Sequence, residues 1–144
     1  MFKRILVAYD GSDGAKFALD KVTEMAEAAA AELLLLAVGR IPEYAETVSE
    51  AEEAREQAKS YYSKIMEDAA DRLRQQGLSA TVRIDFGKPG DVILRIAEES
   101  GADLIALGTN PHSAMRRRFL GATVDKVVDR AHCSVLVVRR ETAE

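Results

Sequence analysis

Residues 103 to 123, DLIALGTNPHSAMRRRFLGAT, hold the residue types whose spacing best suits a chemical task. An apolar run from Leu104 to Leu107 stops at Gly108. A polar loop carrying Arg116, Arg117 and Arg118 follows, and it closes at Gly121, where a helical pattern begins. A buried strand, a loop with glycine at each end and a helix start together make an anion site. Glycine lets backbone approach a ligand closely, and the first N–H groups of a helix lack partners within it. The segment therefore suits the phosphates of a nucleotide.

Other residues invite chemistry less strongly. Asp10 would accept from a ribose hydroxyl, or would serve the turn Asp10-Gly11-Ser12, where aspartate bonds its own backbone. The three arginines offer a phosphate clamp, although a solvated loop is the ordinary state for at least two of them. Gly108 and Gly121 would also serve simple strand-to-helix turns. His112, His132 and Cys133 lack a second ligand pair at metal spacing, so no metal is expected. Cys133 reads as a small buried hydrophobe, and Tyr61 and Tyr62 as helix packing rather than a stacking platform. The chain contains no G-x-S-x-G elbow, no G-x-x-x-x-G-K-[ST] loop and no carboxylate pair placed by motif, so no catalytic residue is assigned. A phosphoacceptor receiver domain would want an acidic residue ending its third strand and a lysine ending its fifth. Phe86-Gly87 and Arg139-Arg140 stand there instead.

Elements must position these residues, and hydrophobic periodicity supplies them. Arg4 to Tyr9 is a first strand, and a helix over roughly 13 to 30 follows, with Ser12 as its N-cap. Leu33 to Val38 is a second strand. The longest helical tract runs from 43 to 76, with an apolar stripe of Val48, Ala51, Ala58, Tyr62, Ile65, Ala69 and Leu73 and with Gly77 at C′. Its acidic front is expected to begin as a loop, since few globular helices exceed about 25 residues. Ala80, Val82, Ile84 and Phe86 alternate with Thr81, Arg83 and Asp85, the pattern of a sheet-edge strand. A third helix starts near Pro89 and ends at Gly101. Asp103 to Leu107 is the fourth strand. Val124, Val127, Val128 and Ala131 form the inner face of a fourth helix, and Ser134 to Val138 is the last strand.

This alternation calls for an α/β domain spanning 1–144, a parallel sheet with helices on both faces. In such a sheet the ligand crevice lies beyond the carboxyl ends of the strands. If the first and fourth strands are neighbours, Ala8, Tyr9, Asp10, Leu107 and Gly108 line it, with the loop from 109 to 120 and the helix start at 121 to 123 closing over. Composition narrows the partners. A net charge of −4 argues against a general nucleic-acid binder. No apolar stretch approaches the roughly 20 residues of a bilayer span, and no signal-peptide layout opens the chain. The single cysteine excludes an internal disulfide, so a cytoplasmic location is expected.

The segments ILVAYDGSDGAKFALDKVTEMA, KPGDVILRIAEESGADLIALGT and RRRFLGATVDKVVDRAHCSVLVVRR resemble, in order and spacing, the universal stress protein family. The resemblance covers essentially the whole chain. It implies a five-stranded, Rossmann-like parallel sheet of strand order 3-2-1-4-5, of the adenine nucleotide α-hydrolase-like kind, often paired into a homodimer. It also implies a dimeric regulator of the stress response that binds ATP or AMP, with Mg2+ only alongside ATP, and that acts on a protein partner. Many members hold ATP through a loop of pattern G-x2-G-x9-G-[S/T]. On this chain its outer glycines are Gly108 and Gly121, and the nine-residue spacer from His112 to Leu120 is intact. Pro111 replaces the second glycine, and Ala122 replaces the hydroxyl residue. The family's adenine and ribose contacts fall on Ala8, Tyr9, Asp10 and Val38. Proline has no N–H to donate and fixes φ, while alanine offers no hydroxyl. Losing two hydrogen bonds to a charged ligand, at roughly 1.5–3 kcal/mol each, would weaken binding by about 10² to 10⁴. Thr123, Asn110 and the arginines, Arg117 among them, would offset part of that. The alternative is a dimeric interaction module that has lost ATP. By the family's strand order the apolar last strand lies at an open edge, so pairing of two copies through residues 134 to 139 is expected.

Overall fold

The structure is a computed structural model that describes residues 1–41, 46–109 and 121–139. Within them five strands and four helices alternate. The chain runs β1 (Arg4–Ala8), α1 (Asp13–Ala29), β2 (Glu32–Gly39), α2 (Val48–Gln75), β3 (Ala80–Phe86), α3 (Pro89–Ser100), β4 (Leu104–Gly108), α4 (Ala122–Arg130) and β5 (Ser134–Val138). All pairings are parallel, in the order β3-β2-β1-β4-β5. The α/β sheet expected from the alternation is the one observed.

Successive strand side chains point to opposite faces, and each face builds its own core. Ile5, Val7, Leu33, Leu35, Leu104 and Ala106 pack with Leu19, Val22, Met66 and Leu73 under α1 and α2. Leu6, Leu36, Ile105 and Leu107 pack with Ile93, Ile96, Val124 and Val127 under α3 and α4. Continuous apolar runs in β1, β2 and β4 are thus the signature of strands covered on both sides. The alternating β3 lies at an edge, where Arg83 and Arg95 share Asp85 and Glu99 at 3.1 to 3.7 Å. At the other edge, β5 pairs with β4 alone among the described residues.

Caps set the helix starts. The Ser12 hydroxyl accepts from Ala15 N at 3.2 Å. At α2 the Thr47 hydroxyl accepts from Glu50 N at 3.0 Å, and the Glu50 carboxylate accepts from Glu46 N at 3.0 Å. The acidic tract therefore divides at Thr47, with Glu46 outside the helix and Glu50, Glu52, Glu53 and Glu56 inside it. Gly77 follows α2 with φ +79°. The fourth strand begins one residue later than expected, at Leu104, and just before it the Asp103 carboxylate accepts from Lys3 N and Arg4 N at 2.8 and 3.1 Å. Those two bonds hold its carboxyl below the usual aspartate range.

Two expected core positions are exposed, Val48 at 76% and Val128 at 52%. Helix α2 is about 42 Å long at 1.5 Å per residue, whereas β2 spans only about 26 Å. The first turns of α2 therefore overhang the sheet, and the apolar stripe has no strand beneath it there. Met66, absent from the expected stripe, is fully buried instead. No helix among the described residues is long and apolar enough to cross a membrane.

Candidate functional site

A crevice of about 670 Å³ opens at the carboxyl ends of β1, β2 and β4. It brings together seven of the residues expected there: Ala8, Tyr9, Asp10, Val38, Leu107, Gly108 and Thr123. From α4 the wall is reached by Thr123 and Val124, with Gly121 and Ala122 immediately before them. Pro111 and Arg117 lie outside the described residues, as do Asn110, His112, Arg116 and Arg118.

The two framing glycines are needed for different reasons. A Cβ on Gly108 would fall on the Gly14 carbonyl, 2.6 Å from its carbon and 3.2 Å from Ala15 N. Gly108 thus lets the first turn of α1 seat against the end of β4, a packing demand that exists without any ligand. Gly121 has open space where a Cβ would stand, but its φ of +108° is one that other residues rarely adopt. It is the N-cap of α4 and makes no side-chain cap hydrogen bond. The amides that open α4 therefore lack the side-chain acceptor that Ser12 provides for α1. Lys88 likewise gives α3 no side-chain cap, and Pro89 and Ile93 from α3 also line the crevice. Three helix amino ends converge on this pole, where their dipoles favour an anion. A second hollow of about 770 Å³ lies at the opposite pole, beside Arg4, Ala30, Glu32, Gly77 and Ser100. Helix carboxyl ends face that one, which disfavours an anion there.

Asp10 takes the turn role in this structure, since its Oδ1 accepts from Ser12 N at 2.9 Å. Asp10 is exposed and lines the crevice. Tyr9 is only 4% exposed, and its ring belongs to the core beneath α1 and α2. Burial pushes its phenol pKa up, with Arg72 opposing and Asp20 adding to the rise. Val38 and Ala8 are half-buried on the α3 and α4 side.

Sequence reasoning missed the far wall. Arg40, which follows β2, lines the crevice, as do Ala54, Gln57, Ala58, Tyr61 and Tyr62 of α2. Arg40 was findable, because residues just past a strand's carboxyl end face this pole. The α2 residues were not, since only long-range packing brings that helix over the strand tips. Tyr62 packs against the core as expected, while Tyr61 is 63% exposed. Burial raises the Tyr62 pKa, the Asp10 charge adds to the rise, and Arg40 works against it. Away from the crevice, His132 Nδ1 stands 3.3 Å from Glu98. Cys133 is half-buried, with its thiol pKa pushed up by burial and therefore a weak nucleophile near neutral pH. Among the described residues no group of three or more His, Cys, Asp or Glu is placed to hold a metal ion.

The model of the universal stress protein family matches residues 1–139. Universal stress protein YxiE of Bacillus subtilis is 35% identical, over 96% of this chain and all of the relative. The structure of UspA from Lactobacillus plantarum is similar at TM-score 0.79 and 26% identity, covering 95% of this chain and 97% of that one. A universal stress protein in complex with cAMP is similar at TM-score 0.74 and 25% identity, over 96% and 97% of the two chains.

Proposed function

This chain belongs to the universal stress protein family, and on that basis we propose that it is a cytoplasmic adenine-nucleotide-responsive regulator rather than an enzyme. The observation that carries the proposal is one crevice shared by the tips of β1 and β4 and by the start of α4. A nucleotide would place its phosphates at the amides that open α4 and its ribose near Asp10. The cAMP complex of a similar protein supports the adenine class. ATP and AMP are the ligands proposed, with Mg2+ accompanying ATP alone. In this reading, binding changes a surface that a partner protein reads. The single cysteine fits a reducing compartment.

A second reading has its own support: a dimeric interaction module that no longer binds nucleotide. Pro111 and Ala122 depart from the family's phosphate loop, and the packing of α1 accounts for Gly108 without a ligand. Both readings share a homodimer through residues 134 to 139. Edge β3 is guarded by paired charges, whereas β5 offers Val135, Leu136 and Val137, each half-buried, with no described strand beyond them. Pairing with a second copy covers such an edge.

Native mass spectrometry of freshly purified protein tests all of this together. The expected result is a dimer that carries adenine-nucleotide mass or takes it up from millimolar ATP or AMP. A dimer that takes up neither favours the second reading, and a monomer at micromolar concentration removes the proposed interface from both.

A further inference from the structure

Helix α2 supplies a wall that the phosphate-end argument does not use. Two glycines fix its path across the strand tips. A Cβ on Gly11 would lie 2.8 Å from Ile65 Cγ2, and one on Gly39, the last residue of β2, would lie 2.9 Å from the Phe86 ring and 3.3 Å from the Ala58 Cβ. Upstream of Ala58 the helix runs past the last residue of β2, with the Arg55 guanidinium 5.9 Å from the centroid of the Phe86 ring at the end of β3, and its inward stripe continues. Ala54, Gln57, Ala58, Tyr61 and Tyr62 fall at i, i+3, i+4, i+7 and i+8, one helix face, and all five line the crevice. In a helix seated on a core such a face would be buried. Here Gln57 is exposed, and Tyr61 is 63% exposed.

The chemistry along that face is specific. Two alanines leave room. The Tyr61 and Tyr62 rings meet in a T-shaped pair, at 5.0 Å between centroids and 76° between planes, so Tyr62 covers at most one face of Tyr61. Gln57, one turn away, carries an amide donor and an acceptor side by side. Arg40 faces the same hollow from the end of β2 and makes no ion pair with a described residue.

We infer that the crevice-lining face of α2 forms a purine-base subsite, in which Tyr61 stacks on the base and Gln57 reads its edge. The inference rests on the nucleotide reading of the same crevice and says which end of the ligand each wall takes. Adenine presents an acceptor at N7 beside a donor at N6, which an amide matches with two hydrogen bonds. On that same N7 edge guanine presents two acceptors, N7 and O6, which one amide cannot match. Stacking tolerates either purine, so the two residues have separable roles.

Isothermal titration with AMP, GMP and ribose 5-phosphate, the last lacking a base, tests this. Tyr61→Ala is expected to weaken AMP and GMP by about tenfold or more. The same variant should leave ribose 5-phosphate unchanged, and Tyr61→Phe should hold wild-type affinity. Gln57→Ala is expected to narrow the AMP-to-GMP preference by about tenfold. Both side chains are exposed, so unchanged melting temperatures should accompany these shifts. Wild-type binding of AMP with an unaltered dissociation constant in Tyr61→Ala would overturn the subsite. An equal loss of AMP and ribose 5-phosphate would also overturn it. A preference unchanged by Gln57→Ala would overturn the edge reading. A wild-type chain that binds none of the three probes would instead remove the nucleotide reading itself, and the subsite with it.

Discussion

Replacing Gly108 with alanine isolates the contact on which the crevice geometry depends. The added methyl would sit 2.6 Å from the Gly14 carbonyl carbon and 3.2 Å from Ala15 N, where about 3.5–4.0 Å is comfortable. The struck group is backbone in the first turn of α1, so no rotamer change relieves it. The turn must retreat by about 1 Å, and Ala15, Ala18 and Leu19 behind it are buried. Overpacking of this kind costs about 1–3 kcal/mol, and a rigid backbone target places the expectation near the upper end. For a chain of this size that lowers the melting temperature by roughly 6–12 °C. Gly108 is not in the left-handed region, so the cost is one of volume alone. Gly77→Ala is the complementary control, because Gly77 has φ +79° and nothing within 4 Å of its Cβ position. There only the left-handed conformation is penalised, at about 1–2 kcal/mol. Urea unfolding followed by far-ultraviolet circular dichroism reads both variants. A Gly108→Ala protein within about 0.5 kcal/mol of wild type, at an unchanged urea slope, would refute the seating of α1 on the end of β4.

Two further outcomes follow from the core. Met66→Ala empties a fully buried position under α2 and should cost about 2–5 kcal/mol in the same urea assay, whereas a loss below 1 kcal/mol would mean that α2 is not packed there. Tyr9 and Tyr62 should titrate above the ordinary value of 10.0, chiefly because burial disfavours the phenolate. Below pH 10 both the folded and the unfolded chain keep these protons, so stability does not depend on them. As pH rises beyond 10 the unfolded chain loses them first, and stability falls. Absorbance titration at about 295 nm, differenced against Tyr9→Phe and Tyr62→Phe, checks this; transitions at or below 10 would contradict the burial.

Much of the site was legible because it is local in the chain. Asp10 carries a turn that its own neighbours complete, and Gly121 marks a helix start by its backbone conformation, so short-range rules suffice for both. The strands were legible for a related reason: burial on both faces leaves a continuous apolar run in β1, β2 and β4, and a wet face leaves alternation in β3. Val48 misled because periodicity records which face a residue occupies and not whether anything lies beneath that face. Tyr9, just past β1, reaches the crevice wall as expected, and strand pleat also sends its ring into the core under α1 and α2.

The order of apolar runs, helix starts and turn residues was enough to determine an α/β alternation and the pole at which a crevice opens. Those features depend on residues within a few positions of one another, and their physics is local. Only the tertiary structure decided that Gly108 is a seat for α1, that α2 outruns the strands, and that Gln57 and Tyr61 face the tips of β1 and β2. Each of these depends on groups dozens of residues apart arriving at one place. That meeting is set by how two cores fill on opposite faces of a twisted sheet, which no window of sequence contains.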